Sequence, residues 1–98
     1  MRVFVSHAAE RDLEAIADHI ATDSPAAARD FLRKLRVHCA ELGQFPARYP
    51  IVQGRTDTDI RRRVSGNYLI FYRIEPKRVV ILRILHAALD PEDRLFPG

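Results

Sequence analysis

The chain has 98 residues, of which 47% are hydrophobic and 30% are charged, and it carries a formal net charge of +3. This size and composition exclude a disordered or fibrous chain and predict one globular domain over residues 1–98. The single cysteine, Cys39, excludes an internal disulfide and has no metal-ligand partner at a suitable spacing. Because no apolar run is long enough to span a membrane and the N-terminus lacks a cleavable signal, we expect a cytoplasmic protein. No cofactor or metal is expected either, because the sequence carries no motif for one.

The net positive charge comes from the second half of the chain. Residues 1–54 contain seven Lys or Arg and seven Asp or Glu, whereas residues 55–98 contain nine basic and six acidic residues. This excess favours a polyanionic or acidic partner, and it is equally compatible with a solvated positive face. Charge alone therefore does not select a function.

Two amphipathic helices are predicted in the first half of the chain. Ser6 is a good N-cap for the first helix, and Ser24 followed by Pro25 is a good start for the second. Gly43 is placed to end the second helix with a positive φ. The apolar positions recur with helical spacing at Leu13, Ile16, Ala17 and Ile20, and then at Ala28, Phe31, Leu32, Leu35, Cys39 and Leu42. Two such helices joined by a few residues are expected to pack as an antiparallel hairpin.

The second half has the pattern of a sheet. The prolines of segment 44–50 exclude a regular helix, and Phe45 and Tyr49 are expected to pin this loop to the core. Strands are then predicted over 60–64, 68–75 and 79–86, with short turns between them, and a further strand over 3–5. The predicted fold class is α+β, in which an N-terminal strand and an antiparallel helical hairpin accompany a three- to four-stranded antiparallel sheet.

One face of this sheet has no evident cover. On strand 68–75, Leu69 and Phe71 point away from the face shared by Tyr68, Ile70 and Tyr72, and both faces are largely apolar. A single helical hairpin covers only one face, so we expect a partner to bury the other. The alternative is that the loop over 45–59 and the C-terminal tail fold across it.

The sequence contains no complete catalytic constellation. It has no P-loop, no glycine-rich dinucleotide motif and no HExxH, and its four histidines show no metal-ligand spacing. His86 lies at the end of the last strand, where it could act as a general base beside arginines or tie the strand end to Asp90. We favour the structural role, because a lone histidine without a partner seldom performs catalysis.

The order and spacing of many short motifs cover almost the full length of the chain. They are Asp12-Leu13 with Ile16, Pro25-Ala26-Ala27, Phe31, Leu35, Leu42, Pro46, Tyr49-Pro50, Arg61-Arg62, Tyr68-Leu69-Ile70-Phe71-Tyr72-Arg73, and Ile81-Leu82-Arg83-Ile84-Leu85-His86 with Asp90. In this pattern the chain resembles the ParE/RelE toxin superfamily, and it is closer to the ParE branch. The resemblance implies the toxin of a type II toxin–antitoxin pair, neutralised by a ParD-like antitoxin.

The resemblance also separates two activities. ParE-like toxins inhibit DNA gyrase without chemistry of their own, whereas RelE-like toxins cut messenger RNA on the ribosome and need an arginine on the middle strand. Here Leu69 stands at that strand position, Ala87 and Leu89 depart from the family motif after His86, and no tyrosine follows Tyr72. We therefore favour a non-enzymatic gyrase inhibitor. The alternatives are a ribonuclease that uses His86 and a protein-binding module whose toxicity has lapsed.

The candidate site residues form two sets. For the target we predict contacts by Arg61, Arg63, Arg73, Arg83, His86, Arg94 and Phe96. For the antitoxin we predict contacts by Leu13, Ile20, Phe31, Leu69, Phe71 and Arg73. Leu69 and Phe71 are expected to lose solvent exposure on antitoxin binding, and Phe71→Asp is expected to abolish neutralisation more than folding. No sequence-specific DNA binding is expected of the chain alone.

Overall fold

Two helices and a four-stranded sheet make up the fold, in a computed structural model that describes residues 1–52 and 59–88. The elements are β1 (Arg2–Val5), α1 (His7–Ala21), α2 (Pro25–Glu41), a short 3-10 helix (Pro46–Arg48), β2 (Ile60–Ser65), β3 (Tyr68–Ile74) and β4 (Arg78–His86). The strand order is β1-β4-β3-β2. The α+β prediction is confirmed, and β1 completes the sheet. Because β1 runs parallel to β4 while the other pairs are antiparallel, the sheet is mixed.

Local capping sets the helix starts. The Ser6 hydroxyl accepts from the Ala9 N–H at 3.1 Å, and the Ser24 hydroxyl accepts from the Ala27 N–H at 3.1 Å, so both predicted N-caps are confirmed. The expectation of a positive φ at Gly43 is wrong, since Gly66 in the β2–β3 turn is the described glycine with φ above zero. Gly43 is needed for close approach instead, because a Cβ there would overlap the Met1 carbonyl oxygen.

The main core lies between the helical hairpin and one face of the sheet. Its buried members are Ala9, Leu13, Leu35, Cys39, Leu42, Ile70, Tyr72, Val79, Ile81 and Ile84. The predicted helical stripes supply four of these ten residues, Ala9 is a fifth from α1, and β3 and β4 supply the other five. Apolar packing of residues 9–16 and 31–42 therefore fixes the hairpin on the sheet.

A second, smaller core lies on the opposite face of the sheet. It joins Val52, Leu69, Phe71 and Leu85, with Ile60 packed against them. The chain reaches this face by returning beside β2, where the Val52 N–H donates to the Ile60 carbonyl at 2.8 Å. The expectation that Leu69 and Phe71 lie on an uncovered face is therefore wrong, since their exposed fractions are 6% and 0%. The part of the loop that includes Val52 occupies the place expected for a partner.

The loop after α2 is tied to the sheet by a buried tyrosine. The Tyr72 hydroxyl donates to the Pro46 carbonyl at 2.6 Å, and burial raises the pKa of this phenol. Tyr49 packs against the main core as expected. The same expectation for Phe45 is wrong, because its side chain is 69% exposed.

We expect Tyr72→Phe to lower the free energy of unfolding by about 1 kcal/mol, because the Pro46 carbonyl loses its buried donor. Tyr68→Phe is the matched control, since the Tyr68 ring packs on Phe31 and His86 while no hydrogen bond of its hydroxyl occurs in the described part of the chain. Urea denaturation of both variants measures the difference. Equal losses in the two variants would show that the hydroxyl of Tyr72 contributes nothing.

Candidate functional site

Arg83, a predicted target contact, is engaged inside the fold. Its guanidinium donates to both carboxylate oxygens of Asp12 at 2.7 and 2.9 Å, and the Ile84 N–H donates to the same carboxylate at 2.9 Å. The hydrogen bonds to Asp12 raise the pKa of Arg83. The pairing of β1 with β4 ends at Val5 and Ile81. Beyond that point, Asp12 of α1 accepts the hydrogen bond of the Ile84 N–H on the edge of β4. Arg83 therefore links α1 to the sheet.

Arg61 and Arg63 lie on one side of β2 and hold the chain that follows α2. Arg61 donates to the Tyr49 carbonyl at 2.6 Å. Arg63 donates to the His38 carbonyl at 2.8 Å, forms an ion pair with Glu41 at 3.0 Å and lies 5.1 Å from the centre of the Tyr49 ring. The Arg63 side chain is only 13% exposed, so its main role in this structure is to join β2 to α2.

A polar pair that sequence reasoning missed lies beside Arg63. His38 Nδ1 is 2.6 Å from the Ser65 hydroxyl, and Ser65 is 3% exposed. Burial and the charges of Arg63 and Lys34 lower the pKa of His38, with Glu41 opposing them. The two residues stand 27 positions apart on different elements, and neither belongs to a recognisable motif.

The lowered pKa of His38 makes a prediction for pH dependence. Below the ordinary histidine pKa of about 6.5, the unfolded chain binds a proton at His38 more readily than the folded chain does. Protonation therefore favours the unfolded chain, so the free energy of unfolding falls as the pH drops below about 6.5. We expect His38→Gln to flatten the fall in unfolding free energy between about pH 6.5 and 5. His19→Gln on the exposed face of α1 is the control, and urea denaturation across that pH range makes the comparison. An unchanged slope in His38→Gln would contradict the prediction.

His86 ends β4 as predicted, opposite Tyr68 in the register. Its ring meets the Tyr68 ring edge-on with centroids 5.1 Å apart, and its Nδ1 accepts from the Ala88 N–H at 3.1 Å. One ring nitrogen thus closes the turn after the strand. Its suggested tie to Asp90, together with the predicted roles of Leu89, Arg94 and Phe96, lies outside the described residues.

The predicted antitoxin contacts divide by exposure. Leu13, Leu69 and Phe71 are 1%, 6% and 0% exposed, so they offer no surface to a partner in this fold. Their apolar character reflects core packing. Ile20 and Phe31 are half-buried on the hairpin and keep accessible surface.

A separate group of cations surrounds Arg73, the last of the predicted contacts on the sheet. Arg73 and Arg78 both form ion pairs with Glu75, at 3.0 and 2.8 Å, which lowers the pKa of that carboxyl. The Arg78 guanidinium lies 4.8 Å from the centre of the Phe4 ring, and Arg2 stands directly opposite Arg78 in the register. We call the group Arg2, Phe4, Arg73, Lys77 and Arg78 the cationic sheet end. Most of it was missed from the sequence, because only the parallel pairing of β1 with β4 brings residues 2–4 beside residues 77–78.

Residues 1–52 and 59–88 contain no cluster of three or more His, Cys, Asp or Glu side chains that could hold a metal ion. They also include no helix with the length and hydrophobicity needed to cross a membrane. Burial raises the pKa of the Cys39 thiol to about 11, so this cysteine is an unreactive member of the core.

A helical hairpin packed on a mixed four-stranded sheet is the fold of ParE/RelE-like toxins, and solved structures of that class match the chain. A chain of the chromosomal ParDE system from P. aeruginosa superposes with a TM-score of 0.76 at 21% identity, covering 88% of this chain and 95% of that one. A chain of the RelBE2 toxin–antitoxin complex from Mycobacterium tuberculosis gives a TM-score of 0.57 at 27% identity, covering 87% and 95%. No curated protein sequence matches significantly.

The family follows from the sequence match. The family model for the ParE toxin of the type II toxin–antitoxin system parDE matches residues 3–91. The chain therefore belongs to the ParE toxin family, and the resemblance drawn from its motifs is confirmed.

Proposed function

We propose that this chain is a type II toxin that inhibits DNA gyrase without chemistry of its own and is neutralised in the cytoplasm by a cognate ParD-like antitoxin. The observation that carries the proposal is the match to the ParE toxin model over residues 3–91, nearly the whole chain. ParE-like toxins act on gyrase, and the proposal extends that target to this chain.

The geometry around His86 favours inhibition over ribonuclease chemistry. A ribonuclease needs a general base together with cations that stabilise the charge developing on phosphate. His86 Nδ1 already accepts a backbone N–H, and Arg83 is held by both oxygens of Asp12. The strand position that carries an arginine in RelE-like enzymes is Leu69 here, and it is 6% exposed in the second core.

The antitoxin proposal rests on the neighbours and on the hairpin. Both of the solved neighbours described above come from toxin–antitoxin systems. Among the predicted contacts, Ile20 and Phe31 keep accessible surface on the helices and Arg73 keeps it on the sheet. An amphipathic antitoxin segment that buries its apolar side on the hairpin would use the helix-in-groove mode of recognition.

The test is a plasmid cleavage assay with purified chain, gyrase, ATP and supercoiled DNA. We expect linear DNA with protein covalently attached to accumulate, and we expect prior addition of the antitoxin to prevent it. Arg94→Ala with Phe96→Ala should weaken the effect. Arg33→Ala should not, since that side chain is 75% exposed on α2 and, within residues 1–52 and 59–88, pairs with its neighbour Asp30 alone.

Unchanged supercoiling and no cleavage at saturating chain would overturn the gyrase proposal. Cleavage of ribosome-bound messenger RNA, lost in His86→Ala, would assign the ribonuclease activity instead. Antitoxin binding without either effect would leave a protein-binding module.

A further inference from the structure

The cationic sheet end lies on the face of the sheet opposite the helices. Along β1, Val3 and Val5 pack into the main core, so Arg2 and Phe4 point to the other side. The register places Phe4 beside Val80 and Val80 beside Arg73. The second core occupies this face near Leu69 and Leu85, and leaves the end around Phe4 exposed to solvent.

This surface retains positive charge after its internal pairing. It contains four cations, and within the described part of the chain Glu75 is the carboxylate that forms ion pairs with them. Glu75 is shared by Arg73 and Arg78, while no hydrogen bond or ion pair joins the side chain of Arg2 or Lys77 to another described residue. Arg2 and Arg78 lie directly opposite each other on neighbouring strands. Like charges in such a pair destabilise the sheet. An anion bound between them would remove that repulsion.

An aromatic ring stands within this positive surface. Phe4 is 49% exposed, and Arg78 packs over its ring with the guanidinium carbon 4.8 Å from the centroid. Exposed aromatic rings interleaved with cations are the arrangement that binds single-stranded nucleic acid, since the cations follow the phosphates while unstacked bases stack on the rings. Duplex DNA keeps its bases stacked on each other, and the carboxylates of an acidic peptide pair with the cations alone, so the ring favours a single strand.

We propose that the cationic sheet end binds single-stranded nucleic acid without sequence preference. Arg2, Lys77 and Arg78 contact the phosphates, and Phe4 provides a stacking surface for one base. This binding is a property of the chain alone and is separate from inhibition of gyrase, so either can fail without the other.

The experiment measures fluorescence anisotropy of a short labelled oligothymidine titrated with the chain over a series of salt concentrations. The plot of log K against the logarithm of the salt concentration has a negative slope. We expect Arg2→Ala with Lys77→Ala to make this slope less steep by about 1.4, because each lost phosphate contact removes about 0.7 for a single strand. Arg11→Ala with Arg29→Ala removes the same charge from exposed helix positions and should leave the slope unchanged. Phe4→Leu keeps an apolar side chain and should weaken binding by about tenfold through lost stacking.

Several outcomes would overturn the proposal. These are absence of oligothymidine binding at low salt, equal losses in the sheet and helix double variants, or binding of the duplex as tight as that of the single strand. Binding of a polyglutamate peptide, without binding of the oligonucleotide, would assign the surface to an acidic protein segment. Circular dichroism confirms that each variant is folded before it is titrated.

Discussion

Phe71→Asp will leave the chain unfolded at neutral pH. The Phe71 ring is 0% exposed and packs with Val52, Leu69 and Leu85 in the second core. Loss of a buried phenylalanine side chain costs about 3–5 kcal/mol, and an unpaired carboxylate in the same space adds the cost of burying a charge. A small domain has a total stability of about 5–15 kcal/mol, so this single change removes most or all of it. Far-ultraviolet circular dichroism and urea denaturation of the isolated variant measure the outcome.

Phe4→Asp is the matched control for this substitution. Phe4 lies on the same face of the sheet and is 49% exposed, so the new carboxylate stays in water beside Arg78. We expect this variant to fold with nearly normal stability. A folded Phe71→Asp chain that has lost antitoxin binding would restore the interpretation of this face as a partner surface.

The elements of the fold could be predicted because their signals are local. Ser6 and Ser24 cap the helices through contacts three residues away, and the β2–β3 turn needs only Gly66 with φ of 60°. Alternation along β3 also placed Tyr72 and Phe71 on opposite faces correctly. In each case the physical cause lies within a few residues of the feature.

The cover of the second face could not be predicted, because it depends on pairing outside the regular strands. Val52 reaches that face through a hydrogen bond to Ile60 and an isolated bridge between Ile51 and Arg61. No periodicity in the segment around Val52 signals this pairing. Without it, Leu69 and Phe71 have the same pattern as residues of a binding surface.

The roles of the arginines could not be predicted from the sequence for a related reason. A cation on a strand has the same sequence signature whether it meets solvent, a partner or a distant carbonyl group. Arg61 and Arg63 bind backbone carbonyls 12 and 25 positions away, and Arg83 binds a carboxylate 71 positions away. The excess charge in the second half of the chain therefore serves internal ties as well as the exposed cationic sheet end.

Asp12→Ala will destabilise the chain by about 3 kcal/mol, because it leaves the partly buried Arg83 guanidinium and the Ile84 N–H without their acceptor. The Asp12 and Arg83 side chains are 13% and 25% exposed, so water replaces the lost contacts poorly. Asp12→Asn should cost less, since its amide oxygen still accepts from one donor. Urea denaturation of these variants, with Arg83→Met and the double variant, gives the coupling energy between the two side chains, expected at about 1–3 kcal/mol.

The matched control is Asp30→Ala, which breaks the 2.8 Å ion pair between Asp30 and Arg33. Those two side chains are 68% and 75% exposed, respectively. An exposed pair of this kind contributes about 0–1 kcal/mol. If Asp12→Ala lowers the free energy of unfolding no more than Asp30→Ala does, Arg83 can leave Asp12 for a partner at little cost in stability, in agreement with its prediction as a target contact. A large coupling energy means instead that any target contact by Arg83 must first break its bonds to Asp12, and such a target would bind at the cost of loosening α1 from the sheet.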